Sequence, residues 1–156
     1  MTTHGVDLLT INSGEAEQPF NYAAGKYGSK FLTEIRDNKK FYGIKCPKCG
    51  KVYVPPRSVC GKCFVEMTEF VPVSDEGVIY TYTILRFAFL DPETGKQKPV
   101  PYGYAFIRLD GADTALQHYV VITDESKVKI GARVRTIFKE KREGKISDIE
   151  HFVIID

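Results

Sequence analysis

The chain has 156 residues, of which 43% are apolar, so it can bury one core of ordinary domain size beside a small extra module. Its formal net charge of +2 is too small to indicate nucleic-acid binding by bulk electrostatics. No stretch approaches the roughly 18 apolar residues of a membrane span, and no secretory leader pattern is evident. We therefore expect a cytoplasmic protein that does not cross a membrane.

The N-terminal part divides into an arm and a helix. Residues 1–25 have no helical or strand period, which predicts an extended arm. In the next segment the spacing of Phe31 and Ile35 places apolar side chains on one helical face. Ser29 is a candidate N-cap and Asn38 a candidate left-handed stop. One short amphipathic helix is thus predicted from Ser29 to about residue 40.

Four cysteines follow the helix, and the chain contains no others. They form two Cys-x-x-Cys pairs that ten residues separate: Cys46, Cys49, Cys60 and Cys63. Each pair can present two thiolates to one ion, and four sulfurs close a tetrahedral Zn²⁺ site without an open position. There are three alternatives to zinc: two disulfides, a redox dithiol or an iron site. Disulfides need an oxidising compartment, and a redox dithiol needs only one cysteine pair. We predict structural zinc, whose four thiolates bring the total charge close to zero.

A zinc ribbon is predicted around these pairs. Gly50 and Gly61 are expected to give the two turns their backbone freedom. Pro55-Pro56 excludes a helix between the turns. Short strands are predicted on both sides of the first turn from Tyr42, Ile44, Val52, Tyr53 and Val54. Helix and ribbon together are assigned to residues 26–70.

Beyond this unit the apolar period changes to two, which is typical of strands. Five runs are rich in β-branched and aromatic residues: 78–85, 104–109, 115–122, 132–139 and 146–155. Turn signals at Asp110-Gly111 and Glu143-Gly144 separate them. The polar stretch 123–129 can hold one helical turn between the third and fourth runs. This order is that of the five-stranded OB-fold barrel, with a generic sandwich as the alternative. The predicted fold is mainly β, with an N-terminal helix, a zinc ribbon and an OB-fold over residues 71–156.

Several blocks of the sequence carry a family resemblance. They are the helix and first cysteine pair (31–50), Val54-Pro-Pro-Arg57, Cys60-Gly-Lys-Cys63 and Gly77-Val-Ile-Tyr-Thr-Tyr-Thr83. In this order, over about residues 29–155, the chain resembles small acyl-CoA-associated proteins that join a rubredoxin-like zinc ribbon to an OB-fold. Members accompany thiolases, thiolase-like aldolases or hydroxymethylglutaryl-CoA synthase. The resemblance implies a hetero-oligomer with a thiolase-fold catalytic subunit, and a coenzyme A ester as the substrate of the complex.

The residues themselves indicate no catalysis by this chain alone. A thiolase needs a nucleophilic cysteine and an acid/base group, but all four thiols are assigned to the metal. His118 and His151 lie in predicted strands, where packed or rim positions are expected, and His4 lies in the arm. Adjacent acids such as Asp75-Glu76 and Asp124-Glu125 are interpreted as loop charge. No catalytic residue is predicted.

The long connection between the first two barrel strands, residues 87–101, has apolar side chains without a regular period. Connections of this length are often functional, so we predict that it docks on the partner enzyme. A self-packed hairpin turning at Asp91–Gly95 is the alternative. Candidate contacts to coenzyme A or the partner are Arg57, Arg86, Phe87, Phe89, Lys96 and Tyr102. Arg57 can instead serve the ribbon by offsetting the thiolate charge.

Two other functions stay open at this point. One is a module that binds single-stranded nucleic acid on an aromatic platform of Tyr80, Tyr82, Tyr104, Phe106 and Tyr119. The other is an autonomous acyl-CoA carrier. The resemblance makes nucleic acid the less favoured partner. No residue selects the acyl group: a thiolase that cleaves benzoylsuccinyl-CoA is one candidate partner, and an enzyme for aliphatic β-ketoacyl-CoA is another.

Overall fold

A computed structural model of the chain describes residues 2–3, 6–7, 9–12, 21–88, 90–91 and 95–155. Two antiparallel pairs of very short strands lie in the first part of the chain. They are β1 (Thr2–Thr3) with β2 (Val6–Asp7), and β3 (Thr10–Asn12) with β4 (Asn21–Ala23). The composition of the arm gave no indication of this pairing.

The helix α1 spans Gly25–Asn38 and starts one turn earlier than predicted. Ser29 is not its N-cap: it lies buried within the helix, where its Oγ accepts a hydrogen bond from the Leu9 N–H at 3.0 Å. Asn38 is not the left-handed stop either, because Lys39 takes that conformation with φ 54°. The described part of the chain contains no helix long and apolar enough to cross a membrane.

The ribbon contains a three-stranded antiparallel sheet. Its strands are β5 (Phe41–Lys45), β6 (Val52–Tyr53) and β7 (Glu69–Val73), in the order β6-β5-β7. The first two match predicted strands, whereas Val54 follows β6 and packs into the main core. The sequence did not predict β7, which contains Pro72 and runs across residue 70. Proline is tolerated there because β7 is an edge strand.

The rest of the chain folds into a closed five-stranded barrel. Its strands are β8 (Glu76–Leu85), β9 (Tyr102–Leu109), β10 (Leu116–Val120), β11 (Arg133–Phe138) and β12 (Ile149–Ile154). The order around the barrel is β10-β12-β11-β8-β9, and β10 and β12 pair in parallel while the other neighbours are antiparallel. This is the OB-fold, and the predicted fold class is confirmed.

Two 3-10 helices interrupt the barrel connections. The first, Glu125–Lys127, forms the helical turn that the polar stretch predicted. The second, Ile146–Asp148, occupies the beginning of the last predicted strand, so that β12 starts at Ile149. The predicted turns at Gly111 and Gly144 are present, with φ values of 91° and 84°.

The helix, the barrel and part of the ribbon share the main hydrophobic core. The Phe41 ring of β5 lies 6.0 Å from Phe31 of α1 and 5.4 Å from Phe138 of β11, measured between ring centroids. Ile35 of α1 and Val54 of the ribbon are buried in the same cluster as the barrel residues. The ribbon is therefore packed onto the barrel and is not tethered by a linker alone.

Polar contacts reinforce this junction. The Thr114 hydroxyl, between β9 and β10, accepts a hydrogen bond from the Val54 N–H at 2.7 Å and donates to the Val54 carbonyl at 2.9 Å. The Asp113 carboxylate accepts from the Val52 N–H at 2.8 Å, and the Asp113 N–H donates to the Val52 carbonyl at 2.9 Å. These two residues hold the open edge of β6 against the barrel.

Candidate metal centre and docking face

The four cysteine thiols converge on one point. Their sulfur atoms all lie within 4.8 Å of one another, and the Cys49 and Cys60 sulfurs are 3.8 Å apart. Zinc–sulfur bonds of about 2.3 Å in a tetrahedron place neighbouring sulfurs about 3.8 Å apart. The donor set and its spacing therefore fit one zinc ion. Cys46 and Cys60 are buried, whereas Cys49 is exposed at the surface.

Each cysteine pair sits in a turn that points backbone N–H groups at sulfur. Cys46 Sγ accepts from the N–H groups of Lys48 and Cys49, each at 3.4 Å. Cys60 Sγ accepts from the Cys63 N–H, also at 3.4 Å. Such hydrogen bonds favour the ionised form of the thiol, which is the form that binds metal.

The two turns close in the same way but with different residues. The Gly50 N–H donates to the Cys46 carbonyl at 3.0 Å, and the Phe64 N–H donates to the Cys60 carbonyl at 2.9 Å. Gly50 and Phe64 both have left-handed backbones, with φ 73° and 54°. The expectation that Gly61 supplies this freedom is wrong. A side chain at position 61 would instead meet Arg57, because a Cβ there would lie 3.0 Å from Nη2.

The thiols do not titrate alike. A hydrogen bond from the Tyr53 hydroxyl, 3.3 Å from Cys60 Sγ, lowers the pKa of Cys60 to about 6. Burial, together with hydrogen bonding to the neighbouring thiols, raises the pKa of Cys63 to about 12. The Cys63 thiol therefore stays protonated near neutral pH unless a cation compensates the charge. A bound zinc ion would supply that charge and a structural cross-link between the two turns.

Arg57 lies on the ribbon beside this cluster. Its guanidinium is 4.0 Å from the ring centroid of Tyr53, the residue whose hydroxyl contacts Cys60. Lys51 Nζ lies 5.7 Å from the same centroid. Both cations thus lie over Tyr53, whose hydroxyl contacts Cys60, and this position is compatible with the structural role that the sequence offered as the alternative for Arg57.

The long connection folds back on itself as a hairpin. Leu90 and Gln97 form an isolated antiparallel bridge, and the Gly95 N–H donates to the Asp91 carbonyl at 2.7 Å. Lys98 fixes this hairpin to the barrel: its Nζ lies 2.9 Å from Asp91 Oδ2 and 4.1 Å from the Tyr119 ring centroid. The self-packed hairpin is therefore present, and it is held against the outer surface of β10.

The hairpin nevertheless leaves apolar side chains in solvent. Phe87 is 66% exposed, Leu90 62% and Val100 43%. Lys96 is exposed at the turn, and Arg86 at the end of β8 pairs with Glu125. We call the surface formed by Arg86, Phe87, Leu90, Lys96 and Val100 the hairpin face.

The remaining predicted contacts lie elsewhere or outside the described residues. Tyr102 is only 7% exposed, and its ring packs against Tyr119 with centroids 5.6 Å apart. It lies beneath the hairpin rather than on the hairpin face. Phe89 lies outside the described residues. Arg57 belongs to the ribbon, so the predicted contact residues are spread over two parts of the molecule.

The sequence named Tyr80 and Phe106 as part of an aromatic platform but did not predict the groove that they line. It is an open groove of about 510 Å³ beside the ribbon–barrel junction, lined by Tyr80, Thr81, Phe106, Arg108, Asp113, Thr114 and Ala115. Alternation in β9 indicated that Phe106 and Arg108 face away from the core. The position of Tyr80 could not be predicted, since a β-bulge in β8 shifts the strand register there.

Three titratable residues outside the ribbon have structural contacts. His118 is buried against Phe152, and burial lowers its pKa to about 4. Glu76 forms ion pairs with Arg135 and Arg133; the hydrogen bond from Arg135 is the main cause that holds the pKa of its carboxyl below the usual range. Asp124 accepts a hydrogen bond from the Ser126 N–H at the start of a 3-10 helix. His118 is thus a packed residue, as predicted. The interpretation of Glu76 as loop charge is wrong, because it lies on β8 and pairs with two arginines of β11.

Comparison with known proteins gives matches over both parts of this architecture. Residues 33–68 match the rubredoxin-like zinc ribbon domain of ChsH2, and residues 70–139 match its C-terminal OB-fold domain. A DUF35 domain-containing scaffold protein of Methanocaldococcus jannaschii is 35% identical over 112 residues, which cover 70% of this chain and 74% of the relative. The benzoylsuccinyl-CoA thiolase subunit BbsA of Thauera aromatica is 29% identical over 97 residues, covering 57% of this chain and 62% of BbsA.

Two solved structures have the same fold. A DUF35 protein of unknown function from Sulfolobus solfataricus superimposes with a TM-score of 0.61 at 27% identity, covering 84% of this chain and 87% of that chain. The Ltp2-ChsH2(DUF35) aldolase gives a TM-score of 0.54 at 21% identity, covering 80% and 90%, and this likeness concerns the fold alone. The chain belongs to the DUF35 family, in which a rubredoxin-like zinc ribbon precedes an OB-fold domain.

Proposed function

We propose that this chain is a noncatalytic, zinc-binding scaffold subunit of a cytoplasmic thiolase-type acyl-CoA enzyme complex. In this proposal it stabilises a thiolase-fold partner and shapes the partner's site for thiolytic cleavage of a β-ketoacyl-CoA. The observation that carries the proposal is the convergence of all four thiols in one cluster, within a chain related to a named thiolase subunit. No cysteine is left for nucleophilic work.

The chemistry divides between the two subunits. In thiolysis a cysteine thiolate attacks the β-keto carbonyl and the bond between the α and β carbons breaks, so that the acyl group stays on sulfur. The remaining coenzyme A ester leaves as an enolate that takes up a proton from an acid group. The thiol of a second coenzyme A then takes the acyl group. We assign the nucleophile, the acid/base groups and the oxyanion donors to the partner. In this proposal, this chain contributes a binding surface and stabilises the partner's site.

The hairpin face is the proposed docking surface. On association, the exposed side chains of Phe87 and Leu90 would be removed from water, which is favourable for apolar surface. Lys98 holds the hairpin in one position before binding, which reduces the entropy lost on docking. Arg86 and Lys96 are proposed to approach the phosphates of coenzyme A at the edge of this surface, and Tyr102 supports it from below. Phe89 and Arg57 stay candidate contacts.

The docking proposal is tested with a double variant, Phe87→Ser with Leu90→Ser. The matched control is Ile130→Ser, which removes a side chain that is 69% exposed elsewhere on the barrel. Tagged wild type, purified from the native cell, is expected to retain a thiolase-fold protein together with β-ketoacyl-CoA thiolysis activity. The double variant should bind that purified partner at least about tenfold more weakly, whereas the control should bind normally. Equal affinities would exclude the hairpin face, and absence of a thiolase-fold partner would overturn the proposed function.

A nucleic-acid function has one structural observation in its favour. Phe106 and Tyr104 alternate with core residues on β9 and face outward, and Tyr80 is exposed at its bulge. However, Tyr82 packs against the barrel core, so the platform named from the sequence is incomplete. Binding of a single-stranded oligonucleotide whose affinity falls steeply with salt would favour this function over the first.

A further inference from the structure

The second cysteine turn ends in an unusual residue. Phe64 closes this turn with a left-handed backbone, φ 54°, and its side chain is 82% exposed. The first turn uses Gly50 at the equivalent position, with the same hydrogen bond back to the first cysteine of the pair. Glycine adopts this conformation without steric cost, whereas a residue with a Cβ does not.

Phe64 is unfavourable in the isolated chain for two reasons. Its backbone is strained, and its ring is left almost entirely in water. It makes no contribution to either of the two hydrophobic clusters of the described residues. A residue that costs stability twice in the free protein points to a compensating contact in an assembly.

The charge of the segment around Phe64 indicates the sign of charge on the surface that would contact it. Residues 38–65 contain seven Lys and Arg residues and no Asp or Glu, so this segment has a formal charge of +7. The rest of the chain has 15 basic and 20 acidic residues, or −5. A zinc ion with four thiolates contributes −2 and leaves this segment at +5, with the exposed Glu66 and Glu69 beyond its end. Lys48 and Lys62, at matching positions of the two turns, are both exposed.

We propose that Phe64 is an anchor that inserts into an apolar socket bordered by acidic side chains on the thiolase-fold partner. This inference rests on the proposed function and adds a second docking point, on the ribbon, to the hairpin face on the barrel. A single aromatic side chain that enters a pocket inside a ring of charge pairs is a common arrangement of binding hot spots. Protein is favoured over nucleic acid because the family relatives include a named enzyme subunit.

The test uses Phe64→Asn in the full-length, zinc-loaded protein. Asparagine accepts a left-handed backbone, so the variant should keep its zinc and should melt at or above the wild-type temperature. Its affinity for the purified thiolase-fold partner should fall at least about tenfold, and the remaining affinity should still weaken with salt. Ile130→Asn, an equally polar change at another exposed apolar position, should bind as the wild type does.

Direct contact is tested separately. A benzophenone analogue of phenylalanine at position 64 should cross-link to the partner, and the same analogue at position 130 should not. Unchanged affinity of Phe64→Asn, or cross-linking equal at both positions, overturns the anchor and leaves the proposed function standing. Failure of the wild type to bind any thiolase-fold protein overturns both. A selective loss of oligonucleotide binding in Phe64→Asn overturns the anchor in favour of nucleic acid.

Discussion

At the scale of single residues, His118 shows how burial sets chemistry in this fold. It lies on β10, only 7% exposed, with an aromatic contact to Phe152 on the neighbouring strand β12. Its Nδ1 has no hydrogen-bond partner within the described part of the chain. Because a charged imidazole would lose its hydration there, the neutral form is favoured and the pKa falls to about 4. His118 therefore has a packing role, and its protonation in acid should destabilise the folded protein.

This predicts a pH dependence of stability. The pKa of His118 is depressed from 6.5 to about 4 on folding, so its contribution is complete above pH 6.5 and is lost as the pH falls towards 4. Between pH 7.5 and 5.5 the wild type should lose about 1 kcal/mol more unfolding free energy than His118→Leu. Urea unfolding of both proteins at fixed free zinc measures the difference. Parallel losses in the two proteins would contradict the assignment.

At the scale of elements, the turn before β12 is held by one buried carboxylate. Asp148, 2% exposed, accepts hydrogen bonds from the N–H groups of Glu143 at 2.9 Å, Gly144 at 2.7 Å and Lys145 at 3.1 Å. Arg142 in the same turn donates to the Arg36 carbonyl of α1 at 2.7 Å. The turn therefore connects the barrel to the end of the helix.

Removing this carboxylate should be costly. Asp148→Ala leaves three backbone N–H groups without their acceptor, which should lower the free energy of unfolding by about 2–4 kcal/mol. Asp148→Asn keeps one carbonyl oxygen and should lose less. Equilibrium urea denaturation ranks the three proteins, and an alanine variant as stable as the wild type would show that water replaces the carboxylate.

The sequence predicted those elements whose signal is local and periodic. The alternation in β8 and β9 and the two cysteine pairs follow directly from spacing, so the barrel and the ribbon could be predicted. The start of α1 could not, because Ser29 is a good N-cap residue that tertiary contact with Leu9 instead places inside the helix. The strand β7 could not be predicted because Pro72 indicates the end of a strand, unless that strand is known to lie at a sheet edge.

The candidate site was predictable to a smaller extent. Convergence of the thiols follows from their spacing, whereas the exposure of Phe64 and the position of Tyr80 depend on a left-handed residue and on a bulge. The bulge at Tyr80 has no sequence signature, since the same residue could equally occupy a regular strand position. The spacing places Phe64 where Gly50 lies in the first turn, but it does not show how exposed the ring is. The contacts predicted for Arg86, Phe87, Lys96 and Arg57 stay predictions, as does the boundary between residues 70 and 71.

At the scale of the whole molecule, two cores of unequal size stand side by side. Among the described residues, the main cluster joins α1 to the barrel, whereas the ribbon cluster has only Ile44, Cys46, Tyr53, Cys60 and Met67 as its buried members. Two of these five are themselves thiols of the metal cluster. So small a core cannot order a module by hydrophobic burial alone, and the ribbon should depend on its ion.

Removal of zinc should therefore unfold the ribbon before the barrel. A chelator with reductant is expected to accelerate amide hydrogen exchange at residues 46–67 at least about tenfold, whereas β8 to β12 should stay protected. Mass spectrometry of exchanged peptides gives the comparison, and re-addition of zinc should restore protection. Simultaneous loss of protection in the barrel would mean that the shared packing at Phe41 couples the two into one cooperative unit.

The hydrogen bonds that Asp113 and Thr114 make with the ribbon also restrict how another protein can bind at its sheet edge. Their hydrogen bonds occupy main-chain groups of Val52 and Val54 along one margin of the ribbon sheet. On the opposite margin, Pro72 interrupts the row of amide donors in β7. Intermolecular strand addition is hindered on both sides. Whatever binds the ribbon must recognise its side chains and not lengthen its sheet.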